Sequence, residues 1–486
     1  MASVAIVGAI HITATPSSGQ APQCDAPIAT YRVRPDGDDG FLVDARFAGP
    51  TERFDLAFFP TLDRPQGQAE YIQDLLAFDE MHEHVDIEYV GEGGWKTPDD
   101  AGASALRYRV LATHDETEWV GPGKDEVATR FDETYFFVGH AFFLVDFQWP
   151  TCEIEISFDL PSDWIATTPW RSRGDILIAD DPEDLARNAF AMGRNPPGRV
   201  ELNKLGLTWI IDSQVATAEP RIVKIMETLP SVFRDYFDAA PVAEYTAFFF
   251  ADPETDGGAF RRSFALRLAF PLLPLEEVVW SHTLGHEILH LWIGAGRIHG
   301  ENPSDTYWFT EGFTDYLTMR LMRQAGLIDQ DLYEARLANV IRRYRLGQRF
   351  SPDVSLVEAG MQKFANWELI YGGGALVAFL LEAELSVDEP GAFREMMRAV
   401  YQDGEKPYSM ERLTTVMNAN TGGRAEEVLA WVEEGQSMVS IRDRFSKLGI
   451  ETAGFTDEVY VRKSDVCQAA CAAIFADPHP QGDKTR

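Results

Sequence analysis

Residues 282–292 read HTLGHEILHLW, and twenty residues separate the last of these histidines from the segment EGFTDYL. An α-helix rises ~1.5 Å and turns ~100° per residue, so side chains four apart share a face. His286 and His290 can therefore aim imidazole nitrogens at one ion, at the ~2.0–2.1 Å typical of zinc–nitrogen bonds. Glu287 is turned from that pair by about 100°. It can border such a site without ligating it, which suits a base acting on metal-activated water. This is the H-E-x-x-H arrangement. The plain alternative is a pair of core histidines, which leaves Glu287 without a role.

Catalytic zinc keeps three protein ligands and one open position. The extended H-E-x-x-H-x-x-G-x-x-H pattern fails, because position 293 is Ile and His299 is out of register. A carboxylate succeeds. In WFTEGFTDYL, Glu311 stands on a predicted helix, and Asp315 follows one turn later on the same face. Asp315 is placed to accept the far ring N–H of a ligand histidine, which fixes its tautomer and orientation. His282, one turn before His286, is too far along the axis to ligate easily and reads as a cleft or core histidine.

The elements that must hold these residues follow from periodicity. Trp280, Leu284, Ile288, Leu289, Leu291 and Trp292 flank the motif and predict a buried helix, whose polar groups then need partners. From about Thr30 to Trp170 the pattern has period two. CEIEISFDL alternates apolar and polar from Cys152 to Leu160, and LRYRV does the same at 106–110. Turn signals separate the runs, so an antiparallel β domain with one buried face is expected. A mixed centre follows, with a helix over Glu219–Phe237 and strands at LTWIID, YTAFFFA and FALRLAF. Beyond Thr306 nearly everything reads as helix. The expected fold class is α+β multidomain. Its parts are a leader at 1–24, signal-like or disordered, an N-terminal β domain at 25–200, a catalytic domain at 201–325, a helical part at 326–475 and a tail at 476–486.

The 486 residues allow two or three domains with sizeable cores. A net charge of −34 argues against nucleic acid or anionic membrane as partner, since both attract basic surfaces. Four cysteines make no disulfide framework and no C-x-x-C metal pair, and a Cys24–Cys152 bridge cannot be judged from spacing. The first residues, MASVAIVGAIHITATPSSGQAPQC, look like the later part of a secretory signal without its positive start. Export to a periplasmic or extracellular location is the expectation, with the cytoplasm as the alternative. No other stretch reads as a membrane span.

The segments HEILHLW and WFTEGFTDYL resemble the gluzincin metallopeptidases, above all the glycyl aminopeptidase family and more distantly the aminopeptidase N family. YGGGALVAFLLEAEL is similar to the tyrosine-bearing segment of the first family, and TYFFVGHAFFLV and ISFDLPSDWIAT to its N-terminal region. The resemblance covers roughly residues 30–450. It implies a thermolysin-like catalytic domain with one zinc per chain on His286, His290 and Glu311. It implies Glu287 as base and proton shuttle, and Tyr371 as the hydroxyl that steadies the oxyanion.

The sequence departs from the family twice. The chain ends soon after RFSKLGIETAGF, leaving no room for that family's usual C-terminal PDZ domain. Where the family has Gly-Gly-Leu-Glu-His, this chain has Gly257, Gly258, Ala259, Phe260 and Arg261. Phe260 replaces a carboxylate that could hold a substrate's α-amine. Arg261 and Arg262 would repel an ammonium if they face the cleft, so a strict aminopeptidase is not expected. Gly257, Gly258, Phe260 and Arg261 are the candidate substrate-binding residues.

The reading is a zinc metallopeptidase acting on peptide or protein substrates. Its rivals are a zinc hydrolase of a non-peptide amide or ester, and a non-catalytic zinc-binding protein on the same scaffold. A structural site needs neither Glu287 nor Tyr371, which argues against the last.

Overall fold

The computed structural model describes residues 24, 26–61, 64–98, 102–112, 128–202, 205–294, 302–403, 407–434, 438–455, 458–465 and 469–475. The leader up to residue 23, His299 and the tail at 476–486 lie outside the described residues. The chain is mixed α/β and multidomain. It forms two compact units, the first from residues 1–199, 207–217 and 244–271, the second from 200–206, 218–243 and 272–486.

The first unit is built on an eight-stranded sheet. Its strands run in the order Arg171–Arg173, Ile176–Ala179, Ile154–Phe158, Ala29–Pro35, Gly40–Thr51, Ala103–Leu111, Ile72–Phe78 and His84–Val85. The alternation seen in sequence survives. Ile154 and Ile156, and Leu106, Tyr108 and Val110, are buried, while the residues between them are not. One pairing is parallel, Ala29–Val33 against Ile154–Phe158, and the other pairings in that sheet are antiparallel. These two strands come from distant parts of the chain, so no short hairpin forces them to run in opposite directions. Cys24 and Cys152 form a disulfide that ties the start of the described chain to this sheet.

A five-stranded sheet has the order Gly198–Leu202, Leu205–Ile211, Glu244–Asp252, Ser263–Ala269 and Asp256–Ala259. Glu244–Asp252 and Ser263–Ala269 pair in parallel, and every residue of Ser263–Ala269 is buried. A strand covered on both faces reads as a mostly apolar run rather than an alternating one; in FALRLA the exception is Arg267, buried with its Nε 3.6 Å from Asp252.

The second unit is mainly helical. Glu219–Phe237 continues through Pro230 as one helix and buries Ile222, Ile225, Met226, Leu229 and Phe233. The motif helix is Pro274–Leu289, followed by helices Pro303–Thr310, Gly312–Gln324, Gln330–Phe350 and Gly374–Asp388. The helical reading of the C-terminal part needs one correction. Ile450–Phe455 and Glu458–Lys463 form an antiparallel hairpin, and the alternation in EVYVRK is its signal in the sequence. The run Leu369–Asp388 is long and apolar enough to cross a membrane, but most of it is buried inside the unit.

Candidate active site

The motif helix opens with Pro274 at its first turn and carries Glu276 and Glu277 there, where the helix dipole favours negative charge. Its last two turns are buried, from Leu284 through Leu289. Gly285 lets it pack closely, since a Cβ there would stand 2.9 Å from Thr318 and 3.0 Å from Leu229. His286 and Glu287 occupy its final turn, and His290 is its C-terminal cap residue.

Both histidines present Nε2 to Glu311. The Nε2 to Oε2 distances are 3.3 Å from His286 and 3.5 Å from His290. These are long for charge-assisted hydrogen bonds, which run ~2.7–2.9 Å. They match the edge of a tetrahedron instead, because donors ~2.0–2.1 Å from a central zinc stand about 3.3–3.4 Å apart. One donor atom from each of the three side chains lies within 4.8 Å of the others, and all three residues are buried. Two imidazoles and a carboxylate are also the donor types zinc prefers. The residues fit the ion.

The second nitrogen of His290 is assigned as well. His290 Nδ1 lies 2.9 Å from the Ile293 carbonyl, which accepts its proton and leaves Nε2 free to ligate. His286 Nδ1 lies 3.8 Å from Asp315 Oδ1. The same oxygen is only 2.6 Å from His282 Nε2. Asp315 thus hydrogen-bonds His282 most closely and stands beside the ligand histidine at longer range. Burial alone would raise its carboxyl, but His282, Arg343 and His286 outweigh that and hold it below the usual carboxylate range. Burial pushes His282 down to about 4, with help from Arg336, so the ring is neutral at neutral pH.

Glu311 is the break between two helices, Pro303–Thr310 and Gly312–Gln324, rather than a position inside one. Burial would raise its carboxyl. Lys363 and the two histidines reverse the sign and hold it well below the usual range, so it is an anion available to a metal. Glu287 is buried and close enough to His290 to raise that ring's basicity.

Tyr371 sits in a π-helical turn, Leu369–Gly373, at the head of helix Gly374–Asp388. Such turns recur at functional sites because they re-aim a side chain. Its ring lies between Trp367, with centroids 4.4 Å apart, and His286, 5.8 Å away, with the Arg343 guanidinium 5.1 Å from its centre. Burial, then the Glu311 carboxylate, pushes its phenol far up, so it remains a proton donor.

Lys363 was missed in the sequence. Its Nζ donates to Glu311 Oε1 at 2.7 Å. It lies 52 residues from Glu311 in a turn without a motif, so nothing in the local pattern marks it.

The family comparisons bear on this set of residues. The M61 glycyl aminopeptidase domain matches residues 280–371, and the peptidase M61 N-terminal domain matches residues 64–188. The first match runs from Trp280 to Tyr371 and includes every residue placed at the site above. Over these two segments the chain matches domains of the M61 glycyl aminopeptidase family. No curated protein sequence matches it. Among solved structures, it is similar to an aminopeptidase N family protein from Idiomarina loihiensis, at 16% identity and TM-score 0.72, over 87% of this chain and 79% of that one. It is also similar to an M1 zinc metallopeptidase from Deinococcus radiodurans, at 15% identity and TM-score 0.56, over 84% and 93%. A form of that enzyme bound to the peptide Tyr-Ser-Ala gives TM-score 0.54 at 16% identity, over 84% and 93%. At these identities the likeness is one of fold.

The segment Gly257–Arg261, expected to correspond to the family's glycine-rich one, falls in the first unit. Gly257 and Gly258 lie on the strand Asp256–Ala259, paired with Leu266 and Ala265. Phe260 is buried in an aromatic cluster with Phe131, Phe136, Phe248 and Phe250. Arg261 donates to Asp181 at 2.9 Å, and Arg262 to Asp184 at 3.0 Å. These cations are not free to repel an ammonium, because each is paired with a carboxylate of its own unit.

Proposed function

We propose that the protein is a zinc-dependent peptidase that hydrolyses peptide bonds with Glu287 as general base. The observation that carries this reading is the donor geometry: 3.3 and 3.5 Å edges among His286, His290 and Glu311, with Glu287 beside them. A zinc ion bound there supplies a Lewis acid for the scissile carbonyl and lowers the pKa of its water toward ~7. Glu287 takes a proton from the attacking water and returns it to the leaving amine. Tyr371 donates its hydroxyl hydrogen to the oxyanion of the tetrahedral intermediate. The finer architecture proposed is an N-terminal β domain before a thermolysin-like catalytic domain, with boundaries near residues 200 and 325.

The Cys24–Cys152 bridge favours an oxidising compartment, the periplasm or the exterior. The peptide bound by the Deinococcus radiodurans enzyme, Tyr-Ser-Ala, is a suitable first substrate.

The test has two parts. Elemental analysis should find one zinc per chain in the native protein and much less in His290→Ala; equal zinc in both would overturn the ligand set. Glu287→Gln should keep its zinc and fold while losing nearly all hydrolysis of Tyr-Ser-Ala. A variant with more than about a tenth of the native rate would remove Glu287 as the base, since loss of a general base costs on the order of 10²–10⁴ in rate.

A further inference from the structure

The two oxygens of Glu311 have different partners. Oε2 faces both histidine Nε2 atoms. Oε1 accepts from Lys363 Nζ at 2.7 Å, in the range of strong charge-assisted hydrogen bonds. The ammonium is held there by more than this contact. It lies 4.5 Å from the centre of the Tyr307 ring, 5.5 Å from Trp367 and 5.9 Å from Tyr371. Three aromatic faces around one cation favour it electrostatically. The Lys363 side chain is about one-fifth exposed, so little water competes for its protons.

We propose that Lys363 is a positioning residue for the metal: by holding Oε1 it restricts Glu311 to one-oxygen ligation and keeps the ion's fourth position open. This rests on the zinc reading given above. A carboxylate beside an ion can bind through one oxygen or both. With Oε1 accepting from a cation, its electron density is drawn toward the ammonium and Oε2 is the better donor to the metal. A catalytic zinc needs that economy, because a fifth donor would crowd the position that substrate or water must take. The choice of lysine follows from its chemistry. An ammonium is a point donor that satisfies one oxygen, whereas a guanidinium grips both oxygens of a carboxylate in a fork. An arginine here would compete with the metal for Oε2.

Cobalt(II) substituted for zinc reports coordination number through its visible absorption, which weakens as the ion goes from four to five donors. Cobalt-loaded Lys363→Met should show this weakening relative to the native protein, and its kcat should fall about 10–100-fold, the usual effect of losing a partner of a metal ligand. Lys363→Arg should instead lose metal, read as a lower cobalt occupancy at equal total cobalt. If Lys363→Met and native spectra superimpose, the proposal is overturned even where activity or melting temperature drops. X-ray absorption on the zinc-loaded native protein needs no variant. One oxygen from Glu311 at bonding distance supports the proposal, and two overturn it. Native protein that takes up no metal would refute the zinc reading itself, and the proposal with it.

Discussion

Gly312 and Gly374 meet backbone to backbone: a Cβ on Gly312 would stand 2.4 Å from the Gly374 Cα, and one on Gly374 would stand 1.9 Å from the Trp308 carbonyl oxygen. Glu311 precedes the first glycine and Tyr371 lies one turn before the second. The close approach of these two helix starts is therefore what brings a metal ligand and the oxyanion donor to one place. Gly374→Ala should destabilise the protein by about 3 kcal/mol or more, since backbone cannot yield as a side chain can. Helix propensity alone predicts the opposite sign, a gain of about 1 kcal/mol. Gly49→Ala, where a Cβ meets nothing within 4 Å, should stay within about 1 kcal/mol of the native protein. Urea unfolding of the two variants distinguishes packing from propensity.

Asp315 reaches the metal ligands through charge more than through direct bonding, since its short contact is to His282 at 2.6 Å and His286 stands at 3.8 Å. Asp315→Asn keeps the shape and removes the charge. Zinc affinity should fall about 10–100-fold, as it does when partners of ligand histidines are removed. Competition against a chromophoric chelator measures it, and unchanged affinity would reduce Asp315 to a partner of His282 alone.

Tyr371→Phe removes one hydroxyl from a ring that Trp367, His286 and Arg343 already fix in place. The variant should fold and bind zinc as before. A donor used mainly in the transition state shows itself in kcat, so the loss should be on the order of 10²–10³ in kcat with a smaller change in KM. Steady-state kinetics on Tyr-Ser-Ala would show it. Unchanged kcat would leave the phenol a packing residue.

Much of the site was legible because its key spacing is local. His286, Glu287 and His290 sit within a single turn and a half, and helical geometry alone dictates what they can share. The strands of the first unit were legible for a similar reason, since period two survives wherever one face is buried. What the sequence hid depends on contacts between distant segments. Lys363 carries no motif. Asp315 was read as a partner of a ligand histidine because one-turn spacing is visible, whereas the approach of His282 across two helices is not. Arg261 and Arg262 looked like free cations until Asp181 and Asp184, some eighty residues earlier, were found against them. The hairpin at 450–463 was lost in a helical neighbourhood, although EVYVRK alternates.

His140 gives the first unit a pH dependence of its own, away from the metal ligands. Its Nε2 is shut off from solvent and has no hydrogen-bond partner among the described residues. Burial, aided by Arg187, pushes the ring's pKa from 6.5 down to about 3. The unfolded chain therefore takes up the proton first. The stability from keeping this ring neutral is fully present above pH ~6.5. It is lost as pH falls from there toward about 3, at about 1.4 kcal/mol per pH unit. His140→Leu retains an apolar body of similar reach and removes the titration. Between pH 7 and pH 5 the native protein should lose about 2 kcal/mol more unfolding free energy than this variant. The zinc site is common to both, so its own acid sensitivity cancels in the difference. Urea unfolding at the two pH values measures it. Equal pH dependence in the two proteins would mean that His140 protonates within the fold at its ordinary pKa.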